Sequence, residues 1–390
     1  MGLFSTIRRF FFFLGLLYPV IIGLLTVPVV QNHFVFQHKI LPFPLFAKFD
    51  LPEKYGLAPG KTANLYIDTA DNVTLGAWFV LNDPYHQQLR RTTPTVQPPS
   101  LEIIGDAIAN RPTILMLHGN AASRAAEWRV NAYSAYSSRL QVNVLAVDYR
   151  GFGDSTGNPD TEGLALDAYA SWNWLIEHGA KPEDIIIVGH SLGTGVTAQL
   201  AKKLAAEGVQ PRGIALLAPF TSLSKLIETF SIFGIPVLQP LQTFPLGLKL
   251  LRRALNHEFD TLSVIQDFNA PTLIAHSQGD FDIPHSHSQT LIDRLLDPLL
   301  PAVTVQLPSA PGSPFSSEDF AAFAKARDDR LAARSALTRK TEIPSFGVVE
   351  EFEGHKAPRV VYVETFWGSH ARVGVQEGVH DEMGKLFNLL

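Results

Sequence analysis

"IIIVGHSLGTGVTAQL", Ile185–Leu200, joins two incompatible patterns within a few residues. Ile185–Val188 is an apolar β-branched run, the composition of a short buried strand. From Leu192 the apolar residues recur at helical spacing. Between them stand Gly189, His190, Ser191 and Gly193. A strand tip buried in a core has no use for His190 and Ser191, and a first helical turn has no use for paired glycines. A sharp strand-to-helix turn explains all four. It brings neighbouring backbone too close for a Cβ at the glycines, and it lifts the residue between them out of the fold.

Working outward, the same apolar brevity recurs. "TILMLHG" (113–119), "NVLAVDY" (143–149), "GIALLAP" (213–219), "PTLIAHS" (271–277) and "RVVYVET" (359–365) read as further strands. Between most of them lie helical segments such as "EGLALDAYASWNWLIEHG" (162–179). Strands alternating with helices predict βα units, a mainly parallel sheet and helices on both faces. Ahead of this core, "NLYIDT" and "TLGAWFV" flank "ADN", a hairpin signal, and residues 82–100 read as a polar loop. Two stretches interrupt the alternation. Residues 222–262 are apolar and broken by Pro and Gly, as expected of a helical cap. Residues 301–345 hold a charged, Ala-rich helical piece with loops on either side.

The chain has 390 residues, a formal charge of −5 and no Cys. Thiol catalysis, disulfides and Cys-ligated zinc are excluded. No basic block points to nucleic acid. Phe10–Val30 carries no charge, and about 20 apolar residues match the hydrocarbon thickness of a bilayer. The expected organisation is a short tail (1–9), a single transmembrane helix (10–30), an apolar, Pro-rich juxtamembrane segment in the headgroup region (31–58) and one α/β domain (59–390). Arg8 and Arg9 before the apolar run predict a cytoplasmic N-terminus, with the domain across the membrane. The sequon "NVT" at Asn72 would then be open to glycosylation.

Gly189–Gly193 fits G-x-S-x-G, the nucleophile elbow, with Ser191 exposed at the carboxyl end of a strand. The bland alternative is a Gly-rich turn with Ser as helix cap. The N–H of Leu192 sits at a new helix N-terminus, where donors are unpaired, and supplies half of an oxyanion hole. The loop after "LMLHGN" (115–120) supplies the other half through the N–H of Asn120, with His118 shaping that loop. A serine nucleophile needs a base, and the base an orienting acid, in the chain order Ser, acid, His. "QGDFDIP" (278–284) offers Asp280, with Asp282 as the near alternative. "WGSHARVG" (367–374) offers His370. His380 competes, but its segment reads as a final amphipathic helix with His on the surface. His285 and His287 lack a further ligand at metal spacing. In the cap, the apolar Phe230, Phe233, Leu238 and Phe244 are candidates for substrate contact, or pack on the cap's own core.

These residues resemble the α/β-hydrolase fold, and more closely the α/β-hydrolase domain-containing protein 12 type. "LHGNA", "VDYRGFGDSTG" (147–157), "EGLALDA" and "GHSLGTGV" (189–196) carry the likeness across most of 60–300, and it resumes near 359. The resemblance implies a serine lipase of the endoplasmic reticulum membrane, with a lumenal domain, no cofactor and no metal. Its substrates would be monoacylglycerols or lysophospholipids such as lysophosphatidylserine. A protein-acyl thioesterase, a general carboxylesterase and a non-catalytic membrane adaptor are the competing readings. The sequence departs from the type at 301–345, which is longer than the type leads one to expect, and the cap at 222–262 is individual.

Overall fold

The computed structural model describes residues 3–39, 47–92, 96–229, 231, 238, 241, 245–302 and 317–389. Its centre is a ten-stranded sheet in the order β1-β2-β4-β3-β5-β6-β7-β10-β9-β8. The strands are β1 (Thr62–Asp68), β2 (Thr74–Val80), β3 (Thr113–Leu117), β4 (Asn143–Val147), β5 (Ile185–His190), β6 (Gly213–Leu217), β7 (Thr272–Ser277), β8 (Arg339–Ile343), β9 (Gly347–Phe352) and β10 (Val360–Thr365). From β4 to β10 across the middle every pairing is parallel. The hairpins β1–β2 and β8–β9 extend the two edges with antiparallel pairings.

Burial on both faces explains why the central strands read as unbroken apolar runs. Ile185 and Ile187 point to one face, among helices α4 (Leu101–Asn110), α6 (Thr161–Glu177) and α7 (Leu192–Ala206). Ile186 and Val188 point to the other, among α5 (Glu127–Arg139) and α13 (Glu377–Leu386). The remaining helices are α1 (Leu3–Leu24), α2 (Pro28–Phe36), α3 (Asp83–Thr92), α8 (Leu223–Thr229), α9 (Pro245–Arg253), the single turn α10 (Thr261–Val264), α11 (Ser286–Leu296) and α12 (Ser317–Leu337).

The structure departs from the sequence reading at several places. Residues 83–92, read as loop, are helix α3. Asn82 starts it by accepting the Tyr85 N–H at 3.0 Å. The stretch 301–345 does hold the helix α12, but its end passes into β8, which pairs with β9 and enlarges the sheet. The apolar run 10–30 is not one helix. Pro28 cannot donate to the preceding turn, and it forces Val27 into extended backbone (φ −82°, ψ 122°). Among the described residues no single helix is long and apolar enough to cross a membrane. Gly15–Leu24 and Pro28–Phe36 meet that measure of length and composition only together, bent by 96°. Nor does 31–39 lie away from the domain. Phe36 is fully buried against the rings of His257 and Phe259.

Candidate active site

Three strand ends supply the centre. Ser191 follows β5 and caps α7 with φ 53° and ψ −120°. A non-glycine residue there stores roughly 1–3 kcal/mol of strain. The surroundings enforce it. The Ser191 N–H donates to Leu217 O at 3.0 Å. A Cβ on Gly193 would sit 2.0 Å from Leu117 O, and one on Gly189 2.4 Å from Thr197 Oγ1. The helix therefore starts hard against β3, and only glycine admits that approach.

Asp280 follows β7 and His370 follows β10. The Ser191 hydroxyl and His370 Nε2 are 2.8 Å apart, and His370 Nδ1 lies 2.7 Å from Asp280 Oδ2. With its carboxylate acceptor on Nδ1, the ring carries its proton there and leaves Nε2 facing the serine. Asp280 Oδ1 accepts the N–H groups of Asp282 and Ile283 at 3.0 and 2.9 Å. The competing carboxylate, Asp282, thus helps through its backbone. Burial alone would raise the Asp280 pKa. Hydrogen bonds from His276 and His370 outweigh it and hold the carboxyl well below the usual range.

The other histidines are occupied elsewhere. His380 is buried rather than on the surface, with Nε2 bonded to Gly374 O at 2.9 Å. His287 bonds Thr221 through Nδ1 and Thr229 through Nε2. His118 is buried and donates from Nδ1 to Gly119 O at 2.7 Å, inside the loop it shapes.

The N–H groups of Asn120 and Leu192 have no hydrogen-bond partner among the described residues. Both residues line one cavity of about 430 Å³ together with Ser191 and His370. Apolar side chains dominate the rest of the wall, including Phe220, Leu223, Ile227 and Leu238. Of the four cap residues expected to contact an acyl chain, Leu238 lines this cavity. Phe230, Phe233 and Phe244 lie outside the described residues.

Three further side chains serve the site, and sequence reasoning assigned none of them a role, although it marked His190 as out of place at a strand tip. Arg129 on α5 is buried and donates to the carbonyls of Ser123, Gly119, Asn120 and Ala121 at 2.8–3.0 Å. By holding these oxygens on one side it turns the loop, with Ala121 and Ala122 at φ 59° and 53°, so that its N–H groups face away. His276 Nε2 lies 3.1 Å from Asp280 Oδ2 and 2.9 Å from Ile283 O. Facing two acceptors, that nitrogen donates, while Ser288 donates to Nδ1 at 2.7 Å. His190 Nε2 donates to the backbone carbonyl of His370 at 2.8 Å. Burial and the nearby His370 push the His190 pKa down to about 3, so it stays neutral. The only sequence hint is position: His190 precedes Ser191 and His276 precedes Asp280 by four.

Arg129→Met is expected to lower kcat by roughly 10²–10³, the usual cost of one misplaced oxyanion donor. Steady-state kinetics on a dispersed ester check this. Wild-type kcat in a folded variant would show that the loop holds its shape without the guanidinium.

Residues 114–364 match the model of the alpha/beta hydrolase family. The chain belongs to the α/β-hydrolase family. As a member it is a carboxylic ester hydrolase, and the hydrogen-bonded serine, histidine and aspartate occupy the ends of strands where this family keeps its chemistry. The lysophosphatidylserine lipase ABHD12 of Xenopus tropicalis is 32% identical over 300 residues, covering 73% of this chain and 70% of that protein. The lysophosphatidylserine lipase ABHD12 of Danio rerio is 29% identical over 297 residues, covering 75% and 73%. Among solved structures, an alpha-beta hydrolase from Vibrio vulnificus superposes with a TM-score of 0.52 at 18% identity, covering 92% of this α/β-hydrolase and 93% of that chain. That likeness concerns the fold.

Proposed function

We propose that this α/β-hydrolase is a membrane-associated serine lipase that cleaves the acyl ester of single-chain lipids. One observation carries the reading: the hydrogen-bonded Ser191, His370 and Asp280 open into an apolar cavity of about 430 Å³. In the proposed cycle His370 Nε2 takes the serine proton as Oγ attacks the ester carbonyl. Asp280 holds the imidazole orientation and stabilises its charged form. The N–H groups of Asn120 and Leu192 receive the oxyanion, each worth about 3 kcal/mol in the transition state. His370 then protonates the departing alcohol. Water repeats the sequence on the acyl-enzyme and frees the fatty acid.

Two relatives named as lysophosphatidylserine lipases support a lipid substrate. Among the described residues that line the cavity, Asp282 is charged and no Lys or Arg is present. A leaving alcohol without phosphate, as in a monoacylglycerol, suits that lining better than an anionic head group. Membrane attachment in this reading comes from the apolar bent pair α1–α2 rather than from a straight span. The domain faces the lumen of the endoplasmic reticulum.

Fatty-acid release from membranes carrying wild type or Ser191→Ala tests the assignment, with monoacylglycerol, lysophosphatidylserine, other lysophospholipids and a palmitoylated peptide offered in parallel. The expected result is wild-type-dependent release from a single-chain lipid, fastest from monoacylglycerol. Release from the acyl-peptide alone would replace a lipase with a thioesterase. The topology has its own test. Asn72 is exposed at the β1–β2 turn with φ 62°. A glycosidase-sensitive mass shift that Asn72→Gln removes is expected. Without that shift, the lumenal placement loses its support.

A further inference from the structure

The N-terminal helix pair is built into the catalytic cavity rather than tethered beside it. Gln31 on α2 is 2% exposed. Its Nε2 donates to Leu25 O and Ala254 O at 3.0 Å each, and its Oε1 accepts the Asn256 N–H at 2.7 Å. One side chain therefore clamps the end of α1, the start of α2 and the chain leaving α9. At the far end of α2, Phe36 O accepts the N–H of Ala121, the residue after the oxyanion donor Asn120, at 2.9 Å. Between these two fastenings Phe34 and Val35 face the same cavity as Ser191 and His370, joined by Leu25 from the end of α1. Leu25 also packs with Leu238, Leu241 and Leu251 of the cap, so the two segments share one apolar cluster.

The outer side of α1 is different. Phe12, Phe13, Leu16, Leu17, Val20 and Ile21 are all exposed, each by 45% or more. So large a contiguous apolar face marks an interaction surface. Its continuity through Leu25 with an apolar cavity, and Arg8–Arg9 at its start, fit the hydrocarbon layer of a bilayer bounded by head groups. We propose that α1–α2 is one wall of the acyl site, that Phe34 and Val35 help to set the accepted chain length, and that a lipid acyl chain passes to Ser191 along this wall directly from the bilayer. The inference rests on the acyl-ester reading above.

Full-length protein in phosphatidylcholine vesicles gives the test. Phe34→Trp and Val35→Trp each narrow the cavity, and kcat/KM is measured for monoacylglycerols from eight to twenty carbons. The expected result is about a tenfold fall in the ratio of long-chain to short-chain kcat/KM, within the range typical of a pocket that gains or loses a few methylenes. A wall that merely supports the fold would scale all lengths together, and an unchanged ratio in both variants overturns the inference. A second measurement does not depend on how those variants fold. Ser191→Ala is irradiated with a monoacylglycerol carrying a diazirine at its chain end. Cross-links within residues 25–37 support the wall, and cross-links confined to residues 220–255 overturn it. A wild type that cleaves no ester of any length overturns the acyl-ester reading and this inference with it, an outcome distinct from cleavage with an unaltered length profile.

Discussion

If the proposed cycle holds, Ser191→Ala is expected to reduce fatty-acid release about a millionfold, to the uncatalysed background. In the proposed cycle the serine oxygen bonds to the acyl carbon, and water held in its place lacks both the alignment and the paired base. Loss of such a nucleophile has cost about 10⁶ in kcat where it has been isolated, or roughly 8 kcal/mol of transition-state stabilisation. The fold should survive. Ala tolerates the φ of 53° no worse than Ser, and the Ser191 N–H bond to Leu217 O does not involve the side chain. Covalent labelling by a fluorophosphonate should vanish together with turnover, while the melting temperature stays within a few degrees. Residual activity above one per cent of wild type would mean that another residue carries the acyl group.

Asp280→Asn should cost about 10⁴ in kcat with little change in geometry. The amide offers a donor or an acceptor to His370, but two imidazole N–H groups now compete for one carbonyl oxygen, since His276 also points at this position. Either the His276 bond fails or His370 takes the wrong tautomer, with its proton facing Ser191. The same carboxylate carries a pH signature. Its pKa in the folded chain lies below its unfolded value near 4, so the stability it contributes is complete above about pH 4 and is lost as pH falls further. Thermal melts of the two proteins should differ at pH 7 and converge as pH drops from about 4 towards 2. A constant difference across that range would show that His276 and His370 do not hold the carboxylate charged.

Local chemistry makes much of this legible in the sequence. The six strands read from short apolar runs all occur, because burial on both faces leaves them no other composition, and the hairpin read ahead of them forms β1 and β2. Ser191 and its glycines were readable because close backbone approach is a local constraint. The pairing of Asp280 with His370 was reachable through chain order and the ends of strands. What stayed hidden depends on partners distant in sequence. The β8–β9 hairpin is rich in charge, and it joins the sheet only through the pairing of β9 with β10. Arg129 looks like any surface arginine of an amphipathic helix until the loop at 119–123 folds over it. Helix α2 sits in a stretch whose hydropathy suits a bilayer. Pro28 signals the break, but not the clamp that Gln31 forms with Ala254 and Asn256.

The order in which the parts of the site leave the ribosome has a cost and a use. Ser191 and His370 are 179 residues apart, and His370 rides on β10, the last strand in chain order to join the sheet. At about 5–20 residues per second, roughly ten to thirty-five seconds separate the synthesis of the nucleophile from that of its base. Over that interval a nascent chain carries a serine that has nothing to deprotonate it. Hydrolysis begins only when β10 docks. Catalytic output therefore reports completed folding, and an unfinished copy hydrolyses nothing.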